Sequence, residues 1–81
     1  MTNSEIIDQC RTIMSKIMQV DKTLIDDETT PDDMEAWDSL SHQRMILDLE
    51  KEFAVQINPE EGIEIESFEM LCELITKKMK N

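Results

Sequence analysis

Apolar residues recur at three- and four-residue intervals near the start of the chain. Ile6, Cys10, Ile13 and Ile17 form the stripe, and Ile7 and Met14 widen it, which predicts an amphipathic helix from about Glu5 to Gln19. Thr2 followed by Glu5 reads as a capping box, with Asn3 and Ser4 as rival caps. Between about Asp21 and Asp38 the periodicity stops. Leu24, Ile25, Met34 and Trp37 are isolated apolar positions there, and Thr29-Thr30-Pro31 breaks regular structure. A loop this long in a small domain is functional or disordered, and the four apolar residues argue that it is pinned across a bundle. His42, Met45, Ile46, Leu49 and Phe53 then predict a second helix from Asp38 or Ser39 to about Phe53. Leu40 and Leu47 fall well off that stripe and predict a second, partly exposed apolar strip. Asn58-Pro59 breaks the chain before a short helix over about Glu60–Glu64, weakened by Gly62 and tethered by Ile63 and Ile65. Ser67 caps a last helix from Phe68 to about Met79, whose stripe is Phe68, Leu71, Cys72, Ile75 and Met79. The last helix ends in Lys77, Lys78 and Lys80, which oppose the negative end of its dipole.

These elements predict one all-α domain over residues 1–81, a four-helix bundle of three long helices and one short, with a long first loop. Composition agrees: one Gly, two Pro and no Tyr leave too little turn punctuation and aromatic stock for a small β-sandwich. No apolar run approaches the ~18 residues that span a membrane, and a charged-then-apolar leader pattern is missing, so a cytoplasmic location is expected. Charge narrows the partners. Nineteen acidic against eight basic residues give −11, a field that repels nucleic-acid phosphates and anionic lipid and attracts a basic protein surface. Cys10 and Cys72 lie on helical stripes without metal-ligand spacing and are read as buried, reduced thiols. The loop acids do not follow a calcium-loop pattern and lack its turn glycine, so no metal site is expected.

Catalytic patterns are missing as well. There is no nucleophile elbow, no zinc-binding pair of histidines and no glycine-rich phosphate loop, and Asp38, Ser39 and His42 on one helical turn cannot form a relay. A non-enzyme is expected. His42 lies in line with Ile46, Leu49 and Phe53, which reads as a partly buried, hydrogen-bonded histidine; lining the mouth of a chain-binding passage is its functional alternative. The seven methionines read as core filler, and their flexibility would also let helices part around a bound chain. Ser39 is left as the chemical handle. A serine at a helix start, directly after an acidic loop, is either a plain cap or a site where an attached phosphate meets free backbone N–H groups and the positive dipole end.

The words around that serine resemble the acyl carrier protein family. Asp38-Ser39-Leu40 within Glu35-Ala36-Trp37-Asp38-Ser39-Leu40-Ser41-His42 is similar to its attachment motif. Leu49-Glu50-Lys51-Glu52-Phe53-Ala54-Val55-Gln56-Ile57 is similar to its helix-two ending, and Ile65-Glu66-Ser67-Phe68 to its last helix start. The likeness spans nearly the whole chain. It implies that Ser39 carries 4′-phosphopantetheine, delivered from coenzyme A by a phosphopantetheinyl transferase, with acyl groups held as thioesters on the arm. It also implies that the second helix docks acyl-loading and acyl-transfer enzymes with basic patches. By position, Asp38, Leu40, Arg44, Leu47, Glu50 and Glu52 fall on that surface. A monomer is expected.

Some positions depart from the fatty-acid members. Trp37 replaces a small residue, Gln43 and Arg44 replace an apolar and an acidic one, and Lys51 interrupts the acidic run. They leave attachment intact and point to a dedicated carrier in polyketide-like or other acyl-transfer pathways as readily as to fatty-acid synthesis. The alternatives are an acidic helical interaction module without the prosthetic group, and a D-alanyl or aminoacyl carrier.

Overall fold

The computed structural model describes residues 2–80. Four α-helices form the bundle: α1 (Asn3–Met18), α2 (Ser39–Phe53), α3 (Pro59–Ile63) and α4 (Phe68–Met79). α1 packs closely against both α2 and α4. Its start lies two residues before the expected one because the Thr2–Glu5 capping box forms: the Thr2 hydroxyl accepts the Glu5 backbone N–H at 3.2 Å, and Glu5 Oε1 accepts the Thr2 N–H at 3.1 Å. α1 and α2 both end in a left-handed residue, Gln19 (φ 58°) and Ala54 (φ 54°), at the place where glycine is usual.

The core is built from the predicted stripes. Ile6, Cys10, Met14 and Met18 come from α1, Met45, Leu49 and Phe53 from α2, and Phe68, Leu71, Cys72 and Ile75 from α4. Within α1 the innermost line runs through Met14 and Met18, while Ile13 and Ile17 are only partly buried. Both cysteines are free and buried; a hydrogen bond with Cys10 and burial push the Cys72 thiol well above its usual range. Buried thiols of this kind are poor nucleophiles.

The first loop is pinned, as its apolar residues suggested, but not by all of them. Ile25, Met34 and Trp37 are buried, whereas Leu24 is 64% exposed. The reason is a 3₁₀ turn over Lys22–Leu24 that the acidic pattern concealed. Asp21 caps it by accepting the Thr23 N–H at 3.0 Å, and the turn aims Ile25 inward instead of Leu24. Polar groups complete the attachment. Thr29 is buried; its hydroxyl accepts the Asp26 N–H at 2.9 Å, while its carbonyl accepts the Phe68 N–H at 2.9 Å. The Asp27 carbonyl accepts the Glu69 N–H at 3.2 Å. The loop therefore satisfies two of the donors that the start of α4 leaves open, and Ser67 satisfies that of Met70. On the other side Arg11 Nε donates to the Ile25 carbonyl at 3.1 Å, with its guanidinium 5.3 Å from the Phe68 ring centre.

The loop carboxylates Asp26, Asp27, Glu28, Asp32, Asp33 and Glu35 are all exposed, and no group of three potential ligands is poised for a metal among the described residues. Their repulsion should therefore respond to screening and not to a specific ion. The melting temperature should fall at low ionic strength and rise by a few degrees with added NaCl or MgCl₂, without a saturation endpoint. Stoichiometric calcium binding at micromolar concentration in a calorimetric titration would contradict this.

Candidate functional site

The turn that precedes α2 sets the site. Asp38 is the N-cap, with extended backbone, and its Oδ1 accepts the Ser41 N–H at 2.9 Å. The Ser41 hydroxyl accepts the Asp38 N–H at 2.9 Å and donates to the Ala36 carbonyl at 2.6 Å. The hydrogen bond from the Ser41 backbone N–H, with the Ser41 hydroxyl dipole close by, holds the Asp38 carboxyl below its usual value, so it is ionised at neutral pH. Capping duty thus falls on Asp38 and Ser41. Ser39, the first residue of α2, is exposed beside them.

An open groove of about 850 Å³ lies between α2 and α3, and Ser39 and Asp38 are among its lining residues. Ile46, Ile57 and Ile65 supply apolar wall, with Ile65 and Ile57 buried in the core beneath. α3 carries a correction. Ile63 was expected to tether this helix, yet it is 79% exposed. Gly62 is buried, and at 100° per residue the next position, Ile63, turns away from it toward solvent. Ile65 is buried as expected, and polar contacts supply the rest of the attachment. Lys78 Nζ lies 2.9 Å from Glu61 Oε1, and Glu61 also accepts the Asn58 N–H at 2.9 Å; these two contacts lower its pKa.

A second polar tether passes through His42. Trp37 Nε1 donates to His42 Nδ1 at 2.8 Å, and His42 Nε2 lies 2.8 Å from the Gly62 carbonyl. The rings are nearly parallel, 16° apart with centroids separated by 6.0 Å. Partial burial and hydrogen bonding of His42 match the reading of the sequence. Its two partners do not follow from it, because the helical stripe says nothing about a loop residue and a distant glycine.

The expected docking residues scatter around the outer side of α2. Leu40 and Leu47 are 67% and 64% exposed, in keeping with a second apolar strip, and Arg44 and Glu52 are exposed. Glu50 is half-buried, and its Oε2 accepts the Ile57 N–H at 2.8 Å, so this carboxylate braces the chain after α2.

Comparison with solved structures gives an overlay with a holo acyl carrier protein from Geobacter metallireducens, determined in solution by NMR. The TM-score is 0.82 at 28% sequence identity, covering 91% of this chain and 85% of the other. The fold is that of an acyl carrier protein. No protein-family profile and no curated protein sequence matches the chain. The acyl-carrier fold is a carrier architecture, compatible with a non-catalytic role, and among the described residues no helix is long and apolar enough to cross a membrane.

Proposed function

We propose that the chain is an acyl carrier protein that holds acyl groups on a 4′-phosphopantetheine arm at Ser39. One observation carries the reading: Ser39 is exposed at the first residue of α2, its neighbours perform the capping, and it borders an apolar groove. The residues fit the group. An arm phosphate on Ser39 Oγ would sit at the N-terminus of a 15-residue helix, where dipole and backbone donors favour an anion. The arm supplies a terminal thiol able to hold an acyl group as a thioester. The chain's own part is to present Ser39, to keep Asp38 ionised beside it, and to offer the groove to the cargo.

Attachment needs coenzyme A and a transferase. The Ser39 Oγ–P bond forms, the coenzyme A pyrophosphate breaks, and adenosine 3′,5′-bisphosphate leaves while the serine proton passes to the transferase. Incubation with coenzyme A and a broad-specificity phosphopantetheinyl transferase should raise the intact mass by one arm. An unchanged mass would favour the unmodified interaction module instead.

Asp38, Leu40, Arg44, Leu47, Glu50 and Glu52 are the proposed docking residues, with Glu50 acting through its brace on Ile57. Arg44 and Lys51 place positive charge beside the exposed leucines, and neither has an acidic partner within ion-pair distance among the described residues. Enzymes with uniformly basic patches should meet attraction at Asp38 and Glu52 and repulsion at Arg44. Arg44→Glu should therefore raise kcat/KM with a fatty-acid acyltransferase a few-fold at low salt, and the gain should fade at high salt. Equal rates for both proteins at low salt would leave Arg44 a solvated side chain with no part in partner choice.

A further inference from the structure

The Trp37–His42–Gly62 bridge crosses the same groove that Ser39 borders. All four residues line it, so a group lodged there meets the bridge. Chemistry fixes the direction of both hydrogen bonds. An indole nitrogen only donates, so His42 Nδ1 must accept; the ring proton then sits on Nε2, which donates to the Gly62 carbonyl. The bridge is closed upon itself, with every polar atom satisfied. Trp37 is 3% exposed and Gly62 is buried, and cargo filling the groove would keep water from replacing a partner removed from either.

Resting on the carrier reading, we propose that the Trp37 N–H and the Gly62 carbonyl, which His42 joins in the empty groove, make this groove prefer hydroxylated acyl cargo over plain hydrocarbon of equal length. A saturated chain that displaces the imidazole leaves the Trp37 N–H without an acceptor and the Gly62 carbonyl with only the longer bond from the Ile65 N–H at 3.3 Å, and that penalty opposes entry. A hydroxyl accepts from one and donates to the other, restoring both bonds when the imidazole turns aside. A keto oxygen only accepts, so it restores one bond and ranks between the two. The isoleucines of the wall hold the rest of the chain in all three cases, which confines the discrimination to the bridge.

The test uses the intact protein loaded at Ser39 from coenzyme A thioesters by the broad-specificity transferase. Hexanoyl, ketohexanoyl and hydroxyhexanoyl groups are compared, the substituent on the third or the fifth carbon. The readouts are the rate of thioester cleavage by hydroxylamine, normalised to the free pantetheine thioester, and the melting temperature. One hydroxyhexanoyl form should be cleaved roughly fivefold more slowly than the hexanoyl form and should melt higher. His42→Leu, which leaves the Trp37 N–H and the Gly62 carbonyl open to the cargo from the start, should slow cleavage of both forms and keep the order between them. Trp37→Phe keeps a ring and loses only the donor, and should narrow the preference even if the His42 variant does not fold. Equal protection in the wild-type protein, or a preference that survives Trp37→Phe undiminished, overturns the proposal and leaves the carrier reading standing. Failure to load any arm on Ser39 sinks both.

Discussion

Ser39→Ala should abolish transfer of the coenzyme A arm altogether, with no residual mass shift. It should cost the fold at most ~1 kcal/mol, since Asp38 and not Ser39 caps α2. The comparison that makes this decisive is Ser41, the other hydroxyl on the same turn. Its oxygen accepts the Asp38 N–H and donates to the Ala36 carbonyl, so it is committed to the turn and not free for attachment. Ser41→Ala should therefore still be labelled while melting at a lower temperature. Intact-mass spectrometry of the two variants side by side, with circular dichroism to monitor folding, reads both outcomes. Labelling retained in Ser39→Ala would remove Ser39 as the attachment site.

Phe68→Ala should remove a large part of the protein's stability. The ring is fully buried at the first turn of α4, and the Arg11 guanidinium lies 5.3 Å from its centre. Removing a buried phenylalanine typically costs about 3–5 kcal/mol. At roughly 0.05–0.15 kcal/mol per residue, a domain of this size has on the order of 4–12 kcal/mol in total. The first loop should loosen together with the core, because the backbone bonds from Phe68 and Glu69 to Thr29 and Asp27 end at the same place. Urea unfolding followed by circular dichroism measures the loss. A change below ~1 kcal/mol would mean that the loop and Arg11 close the cavity.

The helices were legible because each writes its inward face at helical spacing and because capping residues mark the starts. Thr2, Asp38 and Ser67 all cap where their positions suggested. Ser39 was legible as an exposed first-turn serine for the same reason. The first loop was legible only in outline. Its apolar residues announce that it is pinned, but an aspartate cap chose Ile25 over Leu24 for burial, and a buried Thr29 joined it to α4 through backbone atoms that leave no mark in the side-chain pattern. The groove was the least legible part. Ile63 looked like a core residue, and the Trp37–His42–Gly62 bridge joins a loop, a helix and a backbone carbonyl that no single periodicity links.

The position of α1 against both α2 and α4 has a consequence for how the molecule is made. α1 leaves the ribosome before the other three helices, yet its inner face of Ile6, Cys10, Met14 and Met18 has no complete partner until α4 follows some fifty residues later along the chain. Isolated helices of this length are marginal in water. During synthesis the nascent chain must therefore wait, with its first helix fluctuating and its apolar side open to chaperones, and close in one late step once Phe68, Leu71 and Ile75 have emerged.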